Sequence, residues 1–262
     1  MEATVPVLLE WREAIAVLRF NRPDQMNALT GGMVEQIIDA LDAIEKNADC
    51  RALILCGSGG NFMAGADIKD YAQQSGQAFQ GFQDSAARIY PRLEAMAIPV
   101  IAAVEGYALG GGFEIALACD LIVAHPAASL GLPEVKLGLV PGGGGTQRLA
   151  RKIGPNRAAD LLMTGRFVAA PELLQWGVVN RVSENVLEEA LALAGQIAKH
   201  PAGAVASIKR LNQSAWTEGG SLEAGLAAER DAVCALFLTG DGMERIRAFV
   251  ERSERRKARQ PK

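Results

Sequence analysis

Pro99-Val100-Ile101-Ala102-Ala103-Val104 leads into Tyr107-Ala108-Leu109-Gly110-Gly111-Gly112-Phe113-Glu114, then Ile115-Ala116-Leu117-Ala118, and closes on Leu121-Ile122-Val123-Ala124. The first run reads as a buried strand, apolar throughout. The glycines mark a turn, the stretch 113–118 reads as a helix, and 121–124 reads as another strand. Strand, turn, helix and strand joined by short connections argue for an α/β core.

The same texture extends on both sides. Residues 7–11 and 15–20 flank a short polar turn and predict a hairpin. Met33, Val34, Ile37, Ile38, Leu41 and Ile44 recur at helical spacing, with Thr30 as the N-cap. Residues 51–56 form a buried-type strand ahead of the turn Gly57-Ser58-Gly59-Gly60-Asn61. Residues 79–96 read as one helix, and 147–153 and 158–163 as two more. From about Leu187 the strand signals stop, and helices are expected over 187–199, 202–217, 221–238 and 242–259. The expected organisation is an α/β core over residues 1–195 and an all-helical region over 196–262, docked rather than tethered by a linker.

With 262 residues there is room for one large domain, or a core with an appendage. The net charge of −3 gives no drive toward nucleic acid or an anionic membrane. No apolar run reaches the roughly 18 to 20 residues of a membrane span. No signal-peptide pattern opens the chain. Cys50, Cys56, Cys119 and Cys234 lie in unrelated contexts without a CxxC pair, so buried free thiols in a reducing compartment are expected, and structural zinc is not. These features predict a cytoplasmic protein without a metal. The basic end 252–262 is read as a solvated terminus, with phosphate or RNA contact as the alternative.

His125 and His200 are far apart in sequence, which argues against a histidine-based triad. There is no GxSxG elbow, no P-loop lysine beside Gly142–Gly145, and no GxGxxG after a strand. Glutamates and backbone donors remain. Glu114 and Glu134 each follow a glycine turn in apolar sequence, where a carboxylate is costly without a partner or a task. The turns Ala64-Gly65-Ala66-Asp67 and Gly110-Gly111-Gly112 each leave room for an N–H to reach one substrate oxygen. The same glycines also suit tight turns and close helix packing. Glu114 suits the helix dipole, and Glu134 suits a turn cap. Spacing alone leaves both readings open.

At these residues the chain resembles the crotonase superfamily, specifically its enoyl-CoA hydratases. Asn21-Arg22-Pro23-Asp24-Gln25-Met26-Asn27-Ala28-Leu29 is similar to the early coenzyme A loop, and Ala64-Gly65-Ala66-Asp67-Ile68-Lys69 to the first oxyanion segment. Residues 101–120, Pro133-Glu134 and the stretch 138–149 continue the likeness in order. The resemblance implies a spiral of ββα units with a helical C-terminal region. It implies that the N–H groups of Ala66 and Gly111 bind a thioester oxygen. Glu114 would activate water and Glu134 would protonate the α-carbon, with Gly142 helping to hold the water. Ala28, Ala64, Asp67, Ile68 and Lys69 would contact coenzyme A, which enters as part of an acyl-CoA substrate, so no separate cofactor is expected. Trimers, or pairs of trimers, would use apolar tail residues such as Leu222, Leu226, Val233, Leu236 and Phe237. Double-bond isomerisation or another acyl-CoA lyase reaction is the alternative chemistry, and a non-enzymatic thioester- or RNA-binding protein is the third reading.

Overall fold

The structure is a computed structural model that describes residues 5–215 and 221–258. Among these residues nine strands form two sheets: β1 (Val7–Arg12), β2 (Ile15–Phe20), β3 (Ala52–Gly57), β4 (Val100–Val104), β5 (Tyr107–Leu109), β6 (Leu121–Ala124), β7 (Ser129–Gly131), β8 (Val168–Ala169) and β9 (Arg181–Val182). The larger sheet runs β1-β2-β3-β4-β6-β9 and the smaller β5-β7-β8. β1 and β2 form the expected antiparallel hairpin, and every later pairing in the larger sheet is parallel.

The apolar runs of β3 and β4 have a simple cause. Side chains alternate across a sheet, and both faces here are covered. Leu53, Leu55, Val100, Ala102 and Val104 enter the main core. Ala52, Ile54, Ile101 and Ala103 enter a second one with Val123, Val186, Ala190 and Leu193.

The helices are α1 (Gly31–Lys46), α2 (Ile68–Tyr71), α3 (Gly76–Ala86), α4 (Ile89–Ala95), α5 (Gly111–Ala118), α6 (Gly145–Ile153), α7 (Pro155–Thr164), α8 (Ala170–Gln175), α9 (Val186–Ala198), α10 (Ala202–Ser214), α11 (Leu222–Phe237) and α12 (Gly240–Ala258). Thr30 caps α1 as expected, accepting from the Met33 N–H, and the predicted apolar stripe is buried.

Several expectations need correction. The helix expected over 79–96 is two helices, broken at Ala87 and Arg88. Pro91 explains the break: it has no N–H for the Ala87 carbonyl, and its ring crowds that carbonyl. Arg88 instead closes a tighter turn onto Ser85. Cys50, Cys56 and Cys119 are buried free thiols, but Cys234 is exposed. The chain divides into compact units Met1–Lys199 and His200–Lys262. The boundary expected at 195/196 falls inside α9, which continues because its apolar face covers the sheet. Residues 217 and 259, the expected ends of two tail helices, lie outside the described residues. No helix among the described residues is long and apolar enough to cross a membrane.

One loop organises the edge of the site. Asn27 is fully buried with φ of 59°, a left-handed conformation that asparagine tolerates better than most residues. Its Oδ1 accepts from the Arg22 N–H at 2.8 Å, and its Nδ2 donates to the carbonyls of Ser58 and Asn61 at 2.9 and 2.7 Å. Asn27→Ala strands three backbone groups and keeps the strained φ. A loss of about 3 kcal/mol or more in urea-unfolding stability is expected. A loss below about 1 kcal/mol means that the loop relaxes and the three bonds carry little.

Candidate active site

Two glycine turns bring bare backbone together. Gly65 and Gly110 have φ of 97° and 50°, conformations that favour glycine. A side chain at Gly110 would stand 3.7 Å from the Gly65 Cα, and one at Gly65 would stand 3.3 Å from the Leu109 carbonyl oxygen. A Cβ at Gly112 would run into the Met63 carbonyl. Short bridges, Leu29 to Ala66 and Met63 to Ala108, tie the segments. Leu29 donates to the Gly65 carbonyl at 2.8 Å, and Asp67 donates to the Leu29 carbonyl at 2.9 Å. Ala66, lying between them, therefore turns its own N–H to the opposite side. Gly111 opens α5, where a first-turn N–H has no partner within the helix. A Cβ added at Gly111 would meet only the Tyr90 hydroxyl, at 3.8 Å. The Ala66 and Gly111 amides thus border one patch of unobstructed backbone.

Two carboxylates sit beside it. Glu114 is 3% exposed, and its Oε1 accepts from the Gly143 and Gly145 N–H groups at 2.8 and 2.7 Å. Burial pushes its pKa up, while the two amides and the Arg148 charge pull it back. Glu134 begins a 3-10 turn (Glu134–Leu137), and its Oε1 lies 3.1 Å from where a Gly110 Cβ would stand. Its Oε2 is buried without a hydrogen-bond partner. Burial, opposed by its own backbone amide and reinforced by the Glu114 charge, raises the Glu134 pKa to about 7. An ionised Glu114 therefore favours a proton on Glu134.

The surroundings are aromatic and tied down. Tyr90 on α4 is buried, and Tyr71 donates nothing to the carboxylates but accepts from Gln83 Nε2 at 3.0 Å. Burial first, and then the Glu114 charge, raise the pKa of both tyrosines, so they stay neutral. The Phe79 and Phe82 rings meet the Tyr71 ring edge-on at 5.0 and 5.4 Å.

The sequence-derived residues divide into two groups. The Gly65 and Gly110 turns, which carry Ala66 and Gly111, meet each other, and Glu134 lies against Gly110, while Glu114 is held by Gly143 and Gly145. Ala28, Ala64, Asp67, Ile68 and Lys69 form a neighbouring rim. There Arg22 donates to the Ala28 carbonyl at 2.5 Å and pairs with Asp67 at 3.1 Å. Asp67 also accepts from the Lys69 N–H at 3.2 Å, so its carboxylate is already engaged, while the Ile68 and Lys69 side chains are exposed. Gly142 is exposed and makes no bond to Glu114. Gly143, Gly145 and Arg148 were not singled out from sequence, although four successive glycines signalled a run of unobstructed N–H groups.

A sequence model of the enoyl-CoA hydratase/isomerase family matches residues 10–258. The chain belongs to this family. Among relatives of this hydratase/isomerase-family chain, a crotonyl-CoA hydratase of Syntrophomonas wolfei is 40% identical over 251 residues, covering 94% of this chain and 95% of the relative. A 2,3-dehydroadipyl-CoA hydratase of Escherichia coli is 37% identical over 249 residues, covering 94% and 96%. A crystal structure of an enoyl-CoA hydratase from Bacillus anthracis aligns with a TM-score of 0.90 at 34% identity, covering 95% of this chain and 97% of that one.

The hydratase/isomerase-family geometry makes two stability predictions. Gly111→Ala should stay within about 1 kcal/mol of wild type, because its Cβ enters open space in a helix. Gly112→Ala should lose more than about 2 kcal/mol, because its Cβ meets backbone. Thermal or urea unfolding of both variants decides, and equal losses contradict the assigned backbone approach. Glu134 has a raised folded pKa, so its stabilising contribution is complete below its ordinary value of 4.5 and is lost as pH rises through about 7. Glu134→Gln should unfold like wild type at pH 4 and be the more stable protein at pH 8.

Proposed function

We propose that this chain is a hydratase that adds water across the 2,3 double bond of a 2-enoyl-CoA thioester, giving a 3-hydroxyacyl-CoA. The observation that carries the reading is the unequal glutamate pair. Glu114 is held by two amides, and half-buried Glu134 has one buried, unpartnered oxygen and a pKa raised to about 7. Addition of water needs both a base and an acid, and the pair supplies one of each.

In this reading the Ala66 and Gly111 amides hold the thioester oxygen and stabilise the enolate charge that develops on it. A preorganised donor of this kind is worth about 3–4 kcal/mol in the transition state. Water near Gly142 loses its proton toward Glu114 as it attacks the β-carbon. Glu134 delivers a proton to the α-carbon. No metal or redox group takes part in these steps. Coenzyme A lies along Ala28, Ala64, Asp67 and Ile68, with backbone as the contact at Asp67, and Lys69 lies toward the phosphates.

The reading includes a cytoplasmic location and a homotrimer or a pair of trimers. Exposed Leu222, Leu226, Val233 and Phe237 on α11, with the partly covered Leu236, support the assembly. Analytical ultracentrifugation should give the mass of a trimer or hexamer, and a monomer at micromolar concentration overturns that part.

Mixing the protein with crotonyl-CoA should bleach the absorbance of the conjugated thioester. Unchanged absorbance across short- and long-chain 2-enoyl-CoA substrates sinks the hydratase reading, and product formed only from 3-enoyl-CoA favours isomerisation. Glu134→Gln should lower kcat by about 10²–10⁴-fold with KM nearly unchanged. Near wild-type turnover removes Glu134 from the mechanism.

A further inference from the structure

Glu114 is held by a turn that has no side chains of its own. The segment 142–145 is all glycine, and Gly144 has φ of 95°. Such a turn is entropically free in the unfolded chain and is not held by its own packing. Something outside it must select the one arrangement in which both amides face Glu114 Oε1.

Arg148, one turn into α6, does this. Its Nη1 donates to the Gly143 carbonyl at 2.6 Å. Gly143 is thereby clamped at both ends, with its N–H on Glu114 and its C=O on Arg148. The guanidinium is fixed in turn by a two-pronged pair with Glu94 of α4, at 2.6 and 2.9 Å. Its Cζ lies over the Tyr90 ring, 5.6 Å from the centroid. A Cβ at Gly144 would collide with the same guanidinium, so the contact is close-packed. Lysine offers one point charge and no fork for this combination of partners.

We propose that Arg148 is a positioning residue: anchored by Glu94 and Tyr90, it locks the glycine turn from outside, and the turn then holds the Glu114 carboxylate in one orientation. The proposal rests on the hydratase reading for its catalytic consequence but not for its geometry. Arg148 does not touch the reacting atoms; it acts through Gly143. Its charge also opposes the burial that raises the Glu114 pKa. The other titratable groups facing Glu114 are Glu134, Tyr71 and Tyr90; of these only Tyr90 feels the Arg148 charge, which opposes the burial that holds its pKa up, so losing that charge keeps Tyr90 neutral.

The test compares Arg148→Met and Arg148→Lys with wild type. With crotonyl-CoA, Arg148→Met should lose about 10²-fold in kcat with KM within about twofold. Arg148→Lys, which keeps the charge without the fork, should lie between. The acidic limb of the pH profile should move to higher pH in Arg148→Met, because the base then holds its proton more tightly. A second readout needs no turnover. With ¹³C-labelled glutamate, the Glu114 carboxyl should titrate at higher pH in the free Arg148→Met protein than in wild type. An Arg148→Met protein that folds and keeps wild-type kcat and Glu114 titration overturns the proposal. A loss of kcat that tracks only a loss of Tm, with the titration unmoved in both variants, also overturns it and makes Arg148 a structural ion pair. Wild-type protein that leaves crotonyl-CoA untouched counts against the hydratase reading alone, and the carboxyl titration still decides the role of Arg148.

Discussion

The close approach of two bare backbone segments governs the rest of this structure. Residues 64–66 and 110–112 come together where a side chain on Gly112 would strike the Met63 carbonyl, and where Gly65 and Gly110 hold left-handed angles. The parallel strands β3 and β4 determine where these segments begin, because β4 leads into β5 through two residues and β5 ends at the glycine turn. Buried on both faces, those strands have little freedom to shift. The open amides inherit their precision from the sheet rather than from the loops that carry them.

Placing two carboxylates beside this patch opposes folding. Glu114 offsets its desolvation through two amides and a nearby guanidinium, whereas Glu134 leaves one buried oxygen unpartnered. An unsatisfied buried group of this kind costs about 1–3 kcal/mol. Local departures from best stability include the unpartnered oxygen of Glu134 and the positive φ angles of the glycine turns, the kind of departure expected at a functional site. The same residues thus weaken the isolated fold, and acid–base work of the proposed kind would draw on that imbalance.

Legibility from sequence followed the strength of the local signal. The apolar runs of β3, β4 and β6 and the stripe of α1 declared themselves, since burial leaves a periodic record. β8 and β9, two residues each, left none; they exist because tertiary contacts supply their partners. The break between α3 and α4 was legible in principle, because Pro91 announces it, but the apolar spacing on either side masked it. At the site, Glu114 and Glu134 could be singled out as acids in apolar sequence, yet spacing did not separate catalysis from capping. Arg148 reads in sequence like any helix-surface arginine. Only the three-dimensional meeting of α4, α6 and the glycine turn gives it partners.

The break at Ala87 and Arg88 has a consequence for how such a site varies. Tyr90 and Glu94, which contact Arg148, belong to α4. Phe79, Phe82 and Gln83, which contact Tyr71, belong to α3. Because no continuous helical ladder couples the two, substitutions in residues 76–86 can shift the packing around Tyr71 without displacing Tyr90 and Glu94. A single proline thereby separates the helix that packs on Tyr71 from the helix that anchors Arg148.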